Sequence, residues 1–305
     1  MVEGPKLTLR RKSPAKITLK NKITIKKGKS VTLKPKQSLV FIDTSYFIFY
    51  RYHATKAWYK HSGKGEDDNC HIEDEAFVDS FTKHFKQWCE KISKQFGVKQ
   101  SDFFWFRDSP RETLWRTPLF EGYKANRDCP DGISGFFRYV YDNLIPGDRQ
   151  IKVDRAEADD VAAVAVKLEN KMNPHVDIVV LTADTDYLQL VNDKVKIVKL
   201  PKFQEIPVEV KVGKNKMKVT PREYLITKIL VGDTADEIPK VYAGCGPSVA
   251  LKIARDEEMF KKCIEDHPDR LEKFNHNKTL ICFDQIPDDI REMAEMEYLK
   301  VRNCG

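Results

Sequence analysis

Short apolar runs and amphipathic stretches alternate along the chain from residue 38 onwards. Apolar side chains recur every three or four residues over 77–92 and again over 157–170, so both stretches predict amphipathic helices. Strands that alternate with helices are typical of an α/β fold with a mostly parallel, doubly wound sheet flanked by helices. Four apolar runs have the length and composition of its buried strands: SLVFID (38–43), FFWFRD (103–108), DIVVLTADTD (177–186) and VKIVKL (195–200).

Helix signals replace this alternation after residue 218. The stretch TPRE (220–223) is a capping box with proline at the first helical position, so it predicts the start of a helix. Gly244 and Gly246 form a tight turn in front of PSVALKIA, which predicts a second helix start. We therefore expect an α/β core over residues 38–218 and a helical module over residues 219–305.

Charge sets the first 37 residues apart from the rest of the chain. They hold 12 Lys and Arg against one Glu, whereas the remaining residues hold 41 basic and 45 acidic side chains. The segment repeats KLTLR, KITLK, KITIK and SVTLK, with prolines between the repeats. Two interpretations stay open: an arm that lies along nucleic-acid phosphates, or a flexible, solvated extension that serves in targeting.

Cysteine usage and hydropathy limit the class of protein. The seven cysteines are scattered, odd in number and without a Cys-x-x-Cys pair, which argues against a disulfide framework and against a zinc site. No apolar run approaches the roughly 20 residues of a membrane span, and no signal-peptide pattern follows the start. These features predict a protein of a reducing intracellular compartment, cytoplasm or nucleus, that does not act in a membrane.

Acidic residues stand where the predicted strands end. Because the carboxyl ends of parallel strands meet at one edge of a sheet, these residues should converge there. The candidates are Asp43, Asp108, Glu157, Asp159, Asp160, Asp184 and Asp186. Like charges a few Å apart in a cleft repel by several kcal/mol per pair, at an effective dielectric of about 20.

Hard divalent cations would offset this repulsion. Ligation by oxygen alone suits Mg²⁺ or Mn²⁺, and two such ions about 4 Å apart are a common device for phosphodiester cleavage. Each acidic segment also has a simpler interpretation by itself. The acids of EADD favour a helix dipole, and an Asp at a strand end often only forms a turn.

Basic residues follow the second acidic strand. In YKANRD (123–128), Lys124 and Arg127 are three apart and could share one face of a helix over the cleft, with Tyr123 available to stack on a base. A solvated basic turn is the alternative. The turn of Gly244 and Gly246 before a helix exposes backbone N–H groups that suit a phosphate, although ordinary helix–helix turns share this pattern.

The order and spacing of these motifs resemble the flap endonuclease and 5′→3′ exonuclease family, over roughly residues 38–290. FIDTSYFIFYR is similar to its first Asp strand, YKANRD to its arch motif, EADD to its central acidic motif and TADTDYLQLV to its Asp-x-Asp strand end. GDTADEIP with the later GCG is similar to its helix–hairpin–helix module. The resemblance implies a PIN-like nuclease core with an arch over about residues 112–150.

The same resemblance implies roles for individual residues. It implies one metal ion held chiefly by Asp43, Asp108, Glu157 and Asp159, and a second near Asp160, Asp184, Asp186, Asp233 and Asp236. Lys124 and Arg127 would contact the scissile phosphate. Gly244, Gly246 and the neighbouring backbone, with Ser248, would hold duplex DNA together with a monovalent cation such as K⁺.

Several positions depart from the family pattern. Glu237 stands where the family has Asn, Lys240 where it has Gly, and Ser248 where it has Lys, which puts the K⁺ site in question. The span from Arg127 to Glu157 is short for an arch that threads single strands. The basic segment of residues 1–37 has no counterpart in the family pattern.

These observations predict a divalent-metal-dependent 5′ nuclease that acts on flaps, nicks or RNA primers in DNA replication or repair. We expect a monomer that binds DNA and works beside replication proteins. Two alternatives remain: a 5′→3′ RNA exonuclease with the same acidic core, and a non-catalytic protein that binds branched DNA as a scaffold.

Overall fold

A six-stranded sheet forms the centre of the α/β core. The computed structural model describes residues 38–63, 70–126 and 132–304, so the basic segment of residues 1–37 and Arg127 lie outside the described residues. The strand order is β3-β2-β1-β4-β5-β6, and all neighbours are parallel except β6. The strands are β1 (Ser38–Asp43), β2 (Phe103–Arg107), β3 (Gln150–Lys152), β4 (Asp177–Leu181), β5 (Val195–Lys199) and β6 (Gln204–Glu205).

The predicted α/β fold is confirmed, and four of the strands are those that the apolar runs predicted. The strands β3 and β6 were not predicted, since they span three and two residues and are too short to show a period. The predicted strand over 177–186 ends at Leu181, because the residues after it turn out of the sheet.

Helices cover both faces of the sheet. Alternate residues of β1 point to opposite faces, so Leu39 and Phe41 pack in one core cluster and Val40 and Ile42 in the other. The first cluster includes side chains from α4 (Ala158–Met172) and α9 (Asp288–Asn303). The second includes side chains from α1 (Thr44–His61), α2 (Glu75–Phe96) and α3 (Ser134–Asn143). Because both faces are buried, the central strands β1, β2 and β4 are apolar between their ends.

A hairpin and four helices form a third packing unit after the sheet. The elements are β7 (Glu209–Val212), β8 (Asn215–Lys218), α5 (Pro221–Val231), α6 (Pro247–Arg255), α7 (Glu257–Phe260) and α8 (Pro268–Ile281). The predicted capping box starts α5: Thr220 Oγ1 accepts from the Glu223 N–H at 3.2 Å, and Glu223 accepts from the Thr220 N–H at 2.7 Å. The last helix, α9, does not join this unit but packs on α4 of the core. None of the helices in the described residues combines the length and apolar character of a membrane span.

Candidate metal centre

The first acidic residue of the site ends the central strand. Asp43 is the last residue of β1, one position beyond Ile42, which lies beside Leu181 of β4. Its carboxylate caps α1 by accepting the Tyr46 N–H at 3.0 Å, and it also accepts the Thr182 hydroxyl at 2.8 Å. The side chain is therefore fixed between β1 and β4 at the carboxyl edge of the sheet.

Asp108 follows the neighbouring strand β2 and reaches toward the same edge. One of its oxygens accepts the Ala158 N–H at 2.9 Å, and the other accepts the Ser45 hydroxyl at 2.6 Å. The carboxylate thereby links the ends of β1 and β2 to the start of α4. This contact brings the EADD acids against the acids of the two strand ends.

The EADD acids surround the first turn of α4. Glu157, Asp159 and Asp160 each offer an oxygen within 4.8 Å of the others. Glu157 and Asp160 form a capping box, in which Asp160 accepts the Glu157 N–H at 3.2 Å. The helix-dipole interpretation is thus correct in part, because these acids also stabilise the helix start.

Arg116 is a residue of the site that the sequence did not single out. Its guanidinium donates to both oxygens of Asp160 at 2.7 Å, to Glu157 at 2.9 Å and to the Leu280 carbonyl at 2.8 Å, and it is 2% exposed. Trp115 Nε1 donates to Asp160 as well, at 2.9 Å. Asp160 is therefore held in a buried ion pair with Arg116.

The YKANRD segment differs from the prediction at two residues. Residues 121–126 form turns rather than a helix, and Lys124 has a left-handed backbone with φ 55°. Its ammonium pairs with Glu157 and lies 3.9 Å from Asp236. Tyr123, predicted to stack on a base, is buried and donates its hydroxyl to Glu157 at 2.7 Å. Arg127 lies outside the described residues.

A second acidic cluster adjoins the first. Asp186, Asp233 and Asp236 offer oxygens within 4.8 Å of one another, although Asp233 and Asp236 are far from Asp186 along the chain. Lys228 of α5 pairs with Asp186 and with Asp233, the latter at 2.8 Å. The sequence signal for Lys228 was a single charged residue in the otherwise apolar stretch YLITKILVG. Asp184 accepts the Asp186 N–H at 2.9 Å, so it fixes the turn that follows β4.

The two clusters carry more negative charge than nearby cations balance. Asp43 is half-buried, yet the loss of solvent around its carboxyl group and the charge of Asp108 raise its pKa to about 7. Burial and the charge of Glu157 raise the pKa of Asp159 well above its usual range. Although Glu157 is itself buried, its pair with Lys124 lowers its pKa to about 2. A cation beside Asp43 and Asp159 would therefore stabilise their ionised forms.

The residues present fit a hydrated divalent cation. The ligand atoms that the two clusters offer are carboxylate oxygens, the ligand type that Mg²⁺ and Mn²⁺ prefer. The Tyr187 hydroxyl is buried with no hydrogen-bond partner in the described chain, and burial and then the charges of Asp43 and Asp159 raise its pKa. A water molecule on a bound cation would give this hydroxyl the partner that a buried polar group requires.

The predicted Gly-x-Gly turn directly precedes α6. Gly244 has φ 85°, and added Cβ atoms at Gly244 or Gly246 would meet nothing within 4 Å, so the backbone is open to a ligand. Gly246 is the N-cap of α6, and Ser248 is exposed in its first turn. A turn of this kind before a helix exposes backbone N–H groups of the type that bind phosphate.

Comparison with solved structures supports this fold. The chain aligns with the bacteriophage T5 5′-exonuclease solved with zinc ions at a TM-score of 0.62 and 16% identity, covering 87% of this chain and 99% of that one. A complex of bacteriophage T5 flap endonuclease with DNA and metal ions aligns at a TM-score of 0.60 and 15% identity, covering 88% of this chain and 100% of that one. At these identities, the likeness establishes the fold.

Sequence comparison identifies the family. The chain is 30% identical over 163 residues to DNA polymerase I of Lactococcus lactis subsp. lactis, covering 51% of this chain and 18% of the polymerase. It is 32% identical over 157 residues to a 5′-3′ exonuclease of Bacillus subtilis, covering 50% of this chain and 51% of that protein. The alignments therefore span about half or less of these relatives. The family model of the 5′-3′ exonuclease, N-terminal resolvase-like domain, matches residues 38–223. The predicted resemblance is thus confirmed: the chain belongs to the 5′-3′ exonuclease family.

Proposed function

We propose that this protein is a divalent-metal-dependent 5′ nuclease that cleaves phosphodiester bonds in branched or nicked DNA. The observation that carries the proposal is the convergence of two carboxylate clusters at one edge of the sheet, joined by the pairing of Lys124 with an acid of each. Bacteriophage T5 flap endonuclease, which has this fold, is described with DNA and metal ions. Replication or repair of DNA is the process that suits such an activity, since DNA polymerase I is among the relatives.

Two groups of carboxylates would hold the metal ions, Mg²⁺ in the first place and Mn²⁺ as an alternative. Bound cations would supply a nucleophilic water and stabilise the leaving oxygen. We assign eight of the nine predicted acids as ligands: Asp43, Asp108, Glu157, Asp159, Asp184, Asp186, Asp233 and Asp236. Asp160 would act indirectly, because its pair with Arg116 orients the start of α4 that carries Glu157 and Asp159.

The cations of the chain would position the substrate. Lys124 and Lys228 each pair with carboxylates of a cluster. A bound phosphate would compete with these carboxylates for the lysines, and bound metal ions would compete with the lysines for the carboxylates. We assign Lys124, with Arg127, to the scissile phosphate, as point charge and bidentate donor respectively. The turn of Gly244 and Gly246 with Ser248 would bind the uncleaved duplex through backbone N–H groups, and K⁺ is a candidate ion there.

The remaining assignments concern the protein in its surroundings. We infer a reducing intracellular compartment, because the six described cysteines are all free. We propose that the protein acts as a monomer beside replication proteins.

Cleavage of an end-labelled 5′-flap duplex tests the proposal. We expect cutting near the junction with Mg²⁺ and none with chelator. Asp184→Asn should lower the cleavage rate more than about 100-fold, because it removes a ligand of the cation that would stabilise the negative charge developing in the transition state. Asp193→Asn is the matched control, since Asp193 is exposed and precedes β5 at the opposite edge of the sheet. Cutting that survives both chelation and Asp184→Asn contradicts the proposal.

The same assay separates the alternatives. Faster cleavage of a matched RNA strand than of the DNA strand would favour a 5′→3′ RNA exonuclease. Tight binding of the flap duplex without cleavage under Mg²⁺ or Mn²⁺ would favour a scaffold.

A further inference from the structure

The hairpin β7–β8 presents lysines on one face. Lys211 lies directly opposite Lys216, and Glu209 opposite Lys218, so these four side chains share the outward face. Val210, on the other face, is buried, and β7 packs against α5 and α6. The hairpin is separate from the central sheet. Its inner face therefore anchors it, and its outer face is left to other contacts.

The outward face carries an electrostatic cost. Like charges directly opposite each other destabilise a two-stranded pair, as Lys211 and Lys216 do here. One acid offsets this weakly, because Glu209 lies 3.8 Å from Lys216, whose side chain is 72% exposed. Lys214 adds a further exposed charge at the turn. Residues 38–63, 70–126 and 132–304 provide no ion-pair partner for Lys211, Lys214 or Lys218. Such a face suits an anionic partner.

The hairpin lies about one helix length from Asp233, one of the proposed metal ligands. Arg255, the last residue of α6, donates to Glu223 in the first turn of α5 at 2.9 Å, so the two helices run antiparallel. Arg255 also donates to the Lys218 carbonyl at 3.4 Å. The hairpin thus adjoins the start of α5 and the end of α6. Asp233 and the Gly-x-Gly turn adjoin the opposite ends, about 13–16 Å away along helices of 9 and 11 residues.

One face of α6 runs from the Gly-x-Gly turn at its start to the hairpin at its end. Ser248, Lys252 and Arg255 are four and three residues apart, so they lie along the same side of the helix. All three are exposed. This polar row continues from the Gly-x-Gly turn to the lysines of the hairpin.

We propose that the outer face of β7–β8 is a second phosphate-binding surface for duplex DNA, resting on the function proposed above. Charges of one strand are about 3.4 Å apart along the duplex axis, so the hairpin would reach phosphates about five base pairs from the acidic clusters. The lysines act as point charges on the backbone, without reading the base sequence. Bound phosphates would offset the repulsion between Lys211 and Lys216, which lie opposite each other in the hairpin.

The salt dependence of duplex binding tests this surface. Affinity for a 5′-flap duplex is measured by fluorescence anisotropy in chelator over a range of salt concentrations. Because each neutralised phosphate contributes about 0.9 to the slope of log K against log salt, Lys211→Ala/Lys216→Ala should lower the slope by about 1.8. Lys211→Arg/Lys216→Arg should retain the slope. The matched control is Lys86→Ala/Lys94→Ala, which removes two exposed lysines of α2 and should also retain it.

Duplex length provides an independent readout. Substrates with duplex arms of 4 and 16 base pairs are compared, because only the longer arm would reach the hairpin. The wild-type protein and the alanine variant should differ on the long arm and converge on the short one. Equal slopes on the long arm, or a difference that persists on the short arm, would overturn the inference.

The outcome of the salt-dependence test is independent of the outcome of the cleavage assay. A slope difference without Mg²⁺-dependent cleavage would retain the surface and reject the nuclease. Cleavage with identical slopes would retain the nuclease and reject the surface. Absence of duplex binding by the wild-type protein would reject the surface as well.

Discussion

Lys228 Nζ lies 2.8 Å from Asp233 Oδ2 and also pairs with Asp186, so a lysine from α5 supplies cationic charge within the second acidic cluster. The Lys228 side chain is 12% exposed, and the two carboxylates are 15% and 18% exposed. Charges enclosed to this degree repel strongly when left alone. Lys228 therefore stabilises a cluster that the strand end and a distant loop bring together.

Replacing Lys228 should destabilise the metal-free protein. In chelator, Lys228→Met should lower the free energy of unfolding by about 1–3 kcal/mol, because two enclosed carboxylates lose a charged partner. Saturating Mg²⁺ should reduce the difference, since a bound cation offsets the same charges. Urea unfolding with and without Mg²⁺ measures both effects. Lys196→Met is the control: it breaks an exposed pair with Glu205, at 3.0 Å, and should cost at most about 1 kcal/mol. An equal loss in both variants would contradict the prediction.

Arg116 and Asp160 should show strong energetic coupling. Arg116→Met leaves the fully buried Asp160 carboxylate without its charged partner, so we expect a loss of about 3–5 kcal/mol in unfolding free energy. Replacing both in Arg116→Met/Asp160→Leu should recover part of this loss, because no uncompensated charge remains. A double-mutant cycle by urea unfolding measures the coupling. Additive losses in the double variant would show that the pair is not a unit.

The stability of the metal-free protein should fall as pH rises toward 7. The folded-state pKa of Asp43 is about 7, raised first by burial and then by Asp108, against an ordinary value of 3.8. Between these values the folded protein holds a proton that the unfolded chain has released, so raising the pH favours unfolding. The raised pKa of Asp159 acts in the same direction.

Thermal unfolding in chelator from pH 4 to pH 8 checks this dependence. Asp43→Asn should flatten the profile, because the amide does not titrate, whereas Asp193→Asn should leave it unchanged. Mg²⁺ should raise the midpoint most at pH 8, where the ligands are deprotonated. A profile in Asp43→Asn identical to that of the unaltered chain would disprove the assignment.

Gly232 should tolerate no side chain. It has φ 77°, and an added Cβ would lie 2.3 Å from the Ile238 carbonyl oxygen. That carbonyl accepts the Asp233 N–H at 2.9 Å, so a clash would displace a proposed metal ligand. Gly232→Ala should therefore cost about 2 kcal/mol or more in stability and lower Mg²⁺-dependent cleavage. Gly147→Ala is the control, because its Cβ would meet nothing within 4 Å. Thermal unfolding measures the difference, and the same unfolding midpoint in both variants would contradict the prediction.

Local patterns were sufficient for the elements of the core. The apolar runs predicted β1, β2, β4 and β5, and the helical periods predicted α2 and α4, because burial imposes its period on residues that are adjacent in the chain. The acids at three strand ends were predictable for a related reason. Parallel strands carry their carboxyl ends to the same edge, so position along a strand already indicates position in the sheet.

Other features depend on contacts between distant parts of the chain. Nothing near Arg116 indicated that its guanidinium would join Asp160 and the Leu280 carbonyl, which follow it by 44 and 164 positions. The same holds for Tyr123, which is buried in the third core cluster and donates to Glu157, 34 positions further along the chain.

The sequence by itself determined the α/β core, the acidic edge and the family, since each rests on short-range periodicity or on ordered motifs. The tertiary structure alone decided which charges balance one another. It paired Asp160 with Arg116, placed Lys124 and Lys228 within the acidic clusters, and set the hairpin beside the end of α6. Electrostatic energies depend on distances and burial in space, and these are established only when the chain has folded.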